Sequence, residues 1–164
     1  MKEKLGPKHP NMLETVQNLA RVYRSQGRYG KAEQLYRQAL EGREEKLGPR
    51  HPDTLRTIDG LAGACSSQHR YEEAKKLYRQ ALEGLEEKLG SKHPDTLRTV
   101  DGLASVYRSQ RRYGEAEKLY RRALGGLVEK LGPKHPDTLE TANSLASLYR
   151  SQGRHGEAEK LRSS

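Results

Sequence analysis

The sequence predicts an all-α chain built as a solenoid of antiparallel helix pairs, and three observations predict it. Lys-Leu-Gly recurs at Lys4, Lys46, Lys88 and Lys130, a constant step of 42 residues that marks four copies of one unit. Within each copy the apolar residues fall at helical spacing. Each resulting stripe is too narrow to close a core of its own, so successive helices must bury their stripes against one another along a stack.

The first copy sets the pattern. Leu13, Val16, Leu19, Ala20 and Tyr23 mark one face of a first helix, and Tyr29, Ala32, Leu35, Tyr36, Ala39 and Leu40 mark one face of a second. Alanines at Ala20, Ala62, Ala104 and Ala146, and again at Ala32, Ala74, Ala116 and Ala158, let the two helices approach closely while tyrosines fill the space beside them. His-Pro-Asp-Thr at His51, His93 and His135 reads as a helix start, with proline where its missing N–H is harmless and an acid where the dipole favours it. Gly27 and Gly153 end the first helices, and Leu-Gly-Pro after the second helices puts glycine at a left-handed cap with proline beyond.

The chain reads as a single array over 1–164, with repeats at about 4–45, 46–87, 88–129 and 130–164, the last cut short in its second helix. Arg162 stands where Tyr36, Tyr78 and Tyr120 stand earlier, and the start, Met1 to Gly6, reads like the tail of a preceding second helix. An excised part of a longer array is the expectation, with end-to-end stacking of copies through uncapped ends as the other explanation. Three weak points are predicted. His69 and Arg111 occupy the turn position of Gly27 and Gly153, at about 1 kcal/mol each if that site is left-handed. Gly125-Gly126 costs a comparable amount per glycine inside a helix. Cys65 takes the core place of Tyr23, Tyr107 and Tyr149, which predicts a looser second repeat.

Composition taken alone misleads. Leu, Ile, Val and Phe make up only 28 of 164 residues, and with a net charge of +9 this falls in the range of disordered chains. The regular recurrence of the apolar positions outranks that average. One cysteine excludes an internal disulfide framework and suits a reducing compartment, so a cytoplasmic location is expected. Nothing in the sequence resembles a leader or an apolar run of about 18 residues, so no membrane partner is expected. No glycine-rich phosphate loop, metal-ligand cluster or nucleophile and base pair is visible, so the chain reads as a non-enzyme without cofactor, metal or small-molecule substrate. His9, His51, His93 and His135 lie a whole repeat apart, too far to share a metal ion, and read as helix caps.

The block Leu-Ala-x-x-Tyr-x-x-Gln-Gly-Arg-Tyr-x-x-Ala-Glu-x-Leu-Tyr-x-x-Ala-Leu, from Leu19 to Leu40, resembles the tetratricopeptide repeat. The 42-residue period and the His-Pro-Asp-Thr-Leu linker resemble the longer variety found in kinesin light chains. The resemblance implies a right-handed superhelix whose first helices line a concave groove that holds a peptide or partner protein. Kinesin light chains place paired asparagines before Leu-Ala. Here those pairs read Gln17-Asn18, Asp59-Gly60, Asp101-Gly102 and Asn143-Ser144, so the asparagine ladder is broken in the middle.

The residues opposite the apolar stripe are the groove candidates: Gln17, Asn18, Arg21, Arg24, Arg56, Asp59, Arg98, Asp101, Ser105, Arg108, Asn143, Ser147 and Arg150. The arginines among them suit carboxylates, while Gly60, Gly63 and Gly102 are read as leaving backbone room for a ligand; an acidic peptide is the partner this implies. Asp59 and Asp101 are expected to pair with Arg56 and Arg98 one turn earlier. A self-associating structural array is the alternative. Non-specific nucleic-acid binding driven by the charge of +9 ranks behind both, because 22 acids are interleaved with the basic residues and the tyrosines are committed to packing.

Overall fold

The computed structural model describes residues 9–163, and among them every regular element is a helix. In chain order these are α1 (Pro10–Ser25), α2 (Tyr29–Leu47), α3 (Pro52–Ser67), α4 (Tyr71–Leu89), α5 (Pro94–Ser109), α6 (Tyr113–Leu131), α7 (Pro136–Ser151) and α8 (His155–Ser163). First helices of 16 residues and second helices of 19 alternate through α7, as the period requires. The chain divides into two compact units, Met1–Lys88 and Leu89–Ser164. In the first unit α1 packs on α2 and α2 on α3; in the second, α5 packs on α6, α6 on α7 and α7 on α8. The readings placed on Met1 to Gly6 and on the Arg162 side chain lie outside the described residues.

Each first helix begins in the same way. The Nδ1 atoms of His9, His51, His93 and His135 accept the backbone N–H of Asn11, Asp53, Asp95 and Asp137, with proline at the first helical position, so the four histidines are caps. Each first helix also ends in the same way. Arg28 N–H reaches Tyr23 C=O at 2.8 Å and Gly27 N–H reaches Arg24 C=O at 3.0 Å, the paired bonds of a Schellman cap. The same pair recurs at His69-Arg70, Arg111-Arg112 and Gly153-Arg154. The residue between helices is left-handed every time: φ is +79° at Gly27 and +77° at Gly153, but also +63° at His69 and +64° at Arg111, which carry the Cβ strain. After the second helices, glycine is again required, but in a different conformation from the expected left-handed cap. Gly48 and Gly132 sit at φ 92°, ψ 159°, an extended region open essentially to glycine alone. Thr54 and Thr96 then bond the carbonyls of Gly48 and Gly90, both at 2.8 Å, fixing the loop to the next helix.

All eight repeated alanines are buried. A second set of small residues does equal service. A Cβ on Gly42, Gly84 or Gly126 would stand 2.5, 2.6 or 2.5 Å from a methyl of Leu13, Leu55 or Leu97, so α2, α4 and α6 each rest their backbone on a leucine of the paired first helix. Gly126 is therefore a packing residue. Gly125 beside it meets nothing within 4 Å and remains a plain helix weakness. The tyrosine of each first helix lies under an arginine of the following turn: Arg28 over Tyr23 at 4.6 Å, Arg112 over Tyr107 at 4.9 Å and Arg154 over Tyr149 at 4.3 Å. In the second repeat Cys65 offers no ring. Arg70 bonds Glu33 of α2 at 2.6 Å and Glu73 of α4, as Arg154 bonds Glu117 and Glu157, and Gln68 joins Glu33 at 2.7 Å.

Candidate functional site

Neighbouring first helices in each unit leave a cleft between them. In the first unit α1 and α3, with the end of α2 below, enclose about 350 Å³ lined by Asn11, Leu13, Glu14, Gln17, Asn18, Arg21, Arg43, Lys46, Leu47, Asp53 and Arg56. In the second unit α5 and α7 border a shallower cleft of about 470 Å³ lined by Arg108, Pro136, Leu139, Glu140, Asn143, Ser144 and Ser147. The candidates Gln17, Asn18, Arg21 and Arg56 thus meet in one cleft, and Arg108, Asn143 and Ser147 in the other. Arg150 is exposed in the last turn of α7, where its charge complements the helix dipole.

Several of the candidates, including one that lines the first cleft, are spent on holding the repeats together. Gln17 is buried, and its Oε1 accepts the Thr57 hydroxyl at 2.7 Å across the repeat boundary. Asp101 holds the equivalent place against Thr141 at 3.1 Å. The second-helix tyrosines Tyr36 and Tyr120 lie against this layer. Burial pushes both phenols above the usual value; Asp59 adds to the shift at Tyr36 and Asp101 to that at Tyr120, while the nearby positive charges of Arg24 and Arg108 offset part of it. Ser105 is exposed on α5.

Two expectations are corrected here. The room at Gly60 and Gly63 is already occupied: a Cβ at Gly60 would stand 2.4 Å from the Tyr36 ring, and one at Gly63 would stand 2.6 Å from the Arg24 guanidinium. These glycines admit the protein's own side chains. Arg98 pairs with Asp95 one turn back and with Asp137 of α7 at 3.0 Å rather than with Asp101, because Asp101 faces Thr141. Arg56 bonds Asp53 at 2.5 Å.

Among the residues of the first cleft that were not candidates on sequence are Arg43, Lys46 and Asp53. Arg43 is the informative one. It stands on α2 where Leu85 and Leu127 stand in the next two copies, and both of those leucines are buried. A break in an apolar register was the signal that could have found it.

Two family models for the tetratricopeptide repeat match the chain, one over residues 13–53 and the other over 35–87, 57–127 and 100–161. The chain belongs to the tetratricopeptide-repeat family, in its kinesin-light-chain-like form, and its fold class is that of an all-α helical repeat solenoid. It is 29% identical to a Podosopora anserina kinesin-light-chain-like protein of nearly identical repeats, over 93% of this chain and 72% of that one, with a TM-score of 0.80. BtubC from P. vanneervenii is similar at 24% identity, covering 92% of this chain and 61% of that chain, with a TM-score of 0.77. The apo form of RapI shares the fold at 17% identity over 91% of this chain and 52% of that one, with a TM-score of 0.74. No curated protein matches the chain. Fold and family together make it a protein-interaction repeat scaffold. Among the described residues no helix is long and apolar enough to cross a membrane, and no group of histidine, cysteine and acidic side chains is placed to hold a metal ion.

Proposed function

We propose that the chain forms one array of about 42-residue repeats that holds an acidic peptide, or an acidic segment of a partner protein, against its first helices. The observation that carries this reading is the pair of polar clefts between α1 and α3 and between α5 and α7, each bordered by arginine and amide side chains. A guanidinium gives a carboxylate two parallel donors, and amide side chains bond a peptide backbone of any sequence. The test is a peptide-array screen followed by Arg21→Glu and Asn143→Glu, two positions exposed at the clefts. Both substitutions weaken capture of acidic peptides if the reading holds; unchanged capture by both moves the site elsewhere. Arg98 is a poor choice for such a test, since a glutamate there would crowd Asp95 and Asp137 and damage the fold.

Self-association is the second reading, and one observation favours it. Met12, Leu19 and Val22 of α1 are 38%, 42% and 49% exposed, whereas their counterparts in α7, Thr138, Leu145 and Leu148, are buried. Light scattering at rising concentration separates the readings: a constant monomer mass excludes association through this face.

A further inference from the structure

Arg43 is the exception in its register position. Its register partners Leu85 and Leu127 fill the same position with hydrocarbon, buried to 1% exposure, so the fold needs only an apolar side chain there. Arg43 instead puts a permanent charge on the floor of the α1–α3 cleft, with only 12% of its side chain exposed. A guanidinium carries five N–H donors. Among the described residues those of Arg43 meet one carboxylate, Asp53, at 3.5 Å, and its Nε is buried without any hydrogen-bond partner. A buried donor left unsatisfied is destabilising, so this arrangement is weaker in isolation than the leucine it replaces.

The surroundings indicate what completes it. Arg21, Lys46 and Arg56 line the same cleft, so four cations face the two acids Glu14 and Asp53. Asp53 is shared, with one oxygen on Arg56 at 2.5 Å and the other toward Arg43, which leaves Arg43 the under-served partner. The second unit lacks this feature: Leu127 holds the register position, and Asp137 is bonded by Arg98.

Resting on the proposed peptide-binding reading, we infer that the α1–α3 cleft is a charge-selective anchor in which Arg43 receives a side-chain carboxylate of the bound peptide. The planar guanidinium matches a carboxylate, and its low exposure keeps water from competing for the contact.

The experiment measures fluorescence anisotropy of a labelled hexaglutamate peptide and its hexaglutamine counterpart against the whole chain. Arg43→Leu, which repeats the residue of the neighbouring copies, is expected to weaken hexaglutamate binding by about 10-fold or more, the scale of one lost charge-assisted hydrogen bond. Asp53→Asn, which removes the competing acid, is expected to tighten it. Hexaglutamine is expected to bind neither variant nor the parent. Equal hexaglutamate affinity for the parent, Arg43→Leu and Asp53→Asn overturns the inference; if Arg21→Glu still weakens binding, the broader groove reading survives alone. Absence of hexaglutamate binding to the parent overturns the carboxylate assignment, and binding of inorganic phosphate in its place identifies the anion as a phosphate.

Discussion

Gly125 and Gly126 lie side by side in the middle of α6, and replacing each with alanine separates two effects that sequence alone merges. Alanine gains about 0.8–1.0 kcal/mol over glycine in a helix interior, and that gain is common to both substitutions. At Gly125 nothing stands within 4 Å of the new methyl, so the gain is realised in full. At Gly126 the methyl would lie 2.5 and 3.1 Å from the two methyls of Leu97 and 3.3 Å from its Cγ. Leu97 is 1% exposed, so its whole isobutyl group must shift inside a filled core, an overpacking cost of about 1–3 kcal/mol. Gly125→Ala should therefore stabilise by about 1 kcal/mol, while Gly126→Ala should be neutral or destabilising by up to about 2 kcal/mol. For a chain of this size a difference of about 2 kcal/mol separates the melting points by about 4–8 °C. Helical circular dichroism followed through urea and thermal unfolding reads both values. Gly84→Ala, facing Leu55 at 2.6 Å, repeats the test in the other unit. Equal stabilisation by Gly125→Ala and Gly126→Ala would refute the claim that α6 rests its backbone on Leu97.

Other outcomes follow from the same structure. Arg111→Gly relieves a left-handed residue with φ +64° and should stabilise by about 1 kcal/mol, read as a higher urea midpoint. His51→Ala removes the acceptor of the Asp53 N–H and should cost about 1 kcal/mol in the same assay. Burial, with Glu73 and Glu33 nearby, pushes the Cys65 thiol up to about 11, so a disulfide reagent at neutral pH should label it only at the rate of local opening, and fast labelling of the folded chain refutes its placement. The hydrogen bond from Arg154 holds the Glu117 carboxyl below its usual range, and hydrogen bonds from Gln68, Arg37 and Arg70 outweigh burial to do the same at Glu33. A depressed folded-state value means stability present at neutral pH is lost as pH falls from the unfolded carboxylate value through the folded one. Urea midpoints should drop below about pH 4.5, and Glu117→Gln should flatten that drop.

Much of this molecule was legible in its residues. The 42-residue step, the helix pairs, the histidine caps, the alanine positions and the left-handed turn at His69 and Arg111 are local matters, fixed by backbone geometry and by which residues tolerate it. The candidate site was only partly legible. Gln17 and Arg21 are both polar residues opposite an apolar stripe and both line the cleft, yet Gln17 is buried against Thr57 while Arg21 is exposed. Gly60 looked like room for a ligand and proved to be room for Tyr36.

The sequence by itself determined the repeat, because burying one apolar face per helix is a property of spacing that any stacked partner satisfies. Which polar side chains are consumed by the stack, and which remain for a visitor, was decided only by tertiary structure. Long charged side chains choose among partners separated by about 37 residues in sequence and a few ångströms in space, as Glu33 does with Arg70 and Glu117 with Arg154. That choice depends on the offset between neighbouring helices, and the offset is set by contacts such as Leu97 against Gly126 that involve no charge at all.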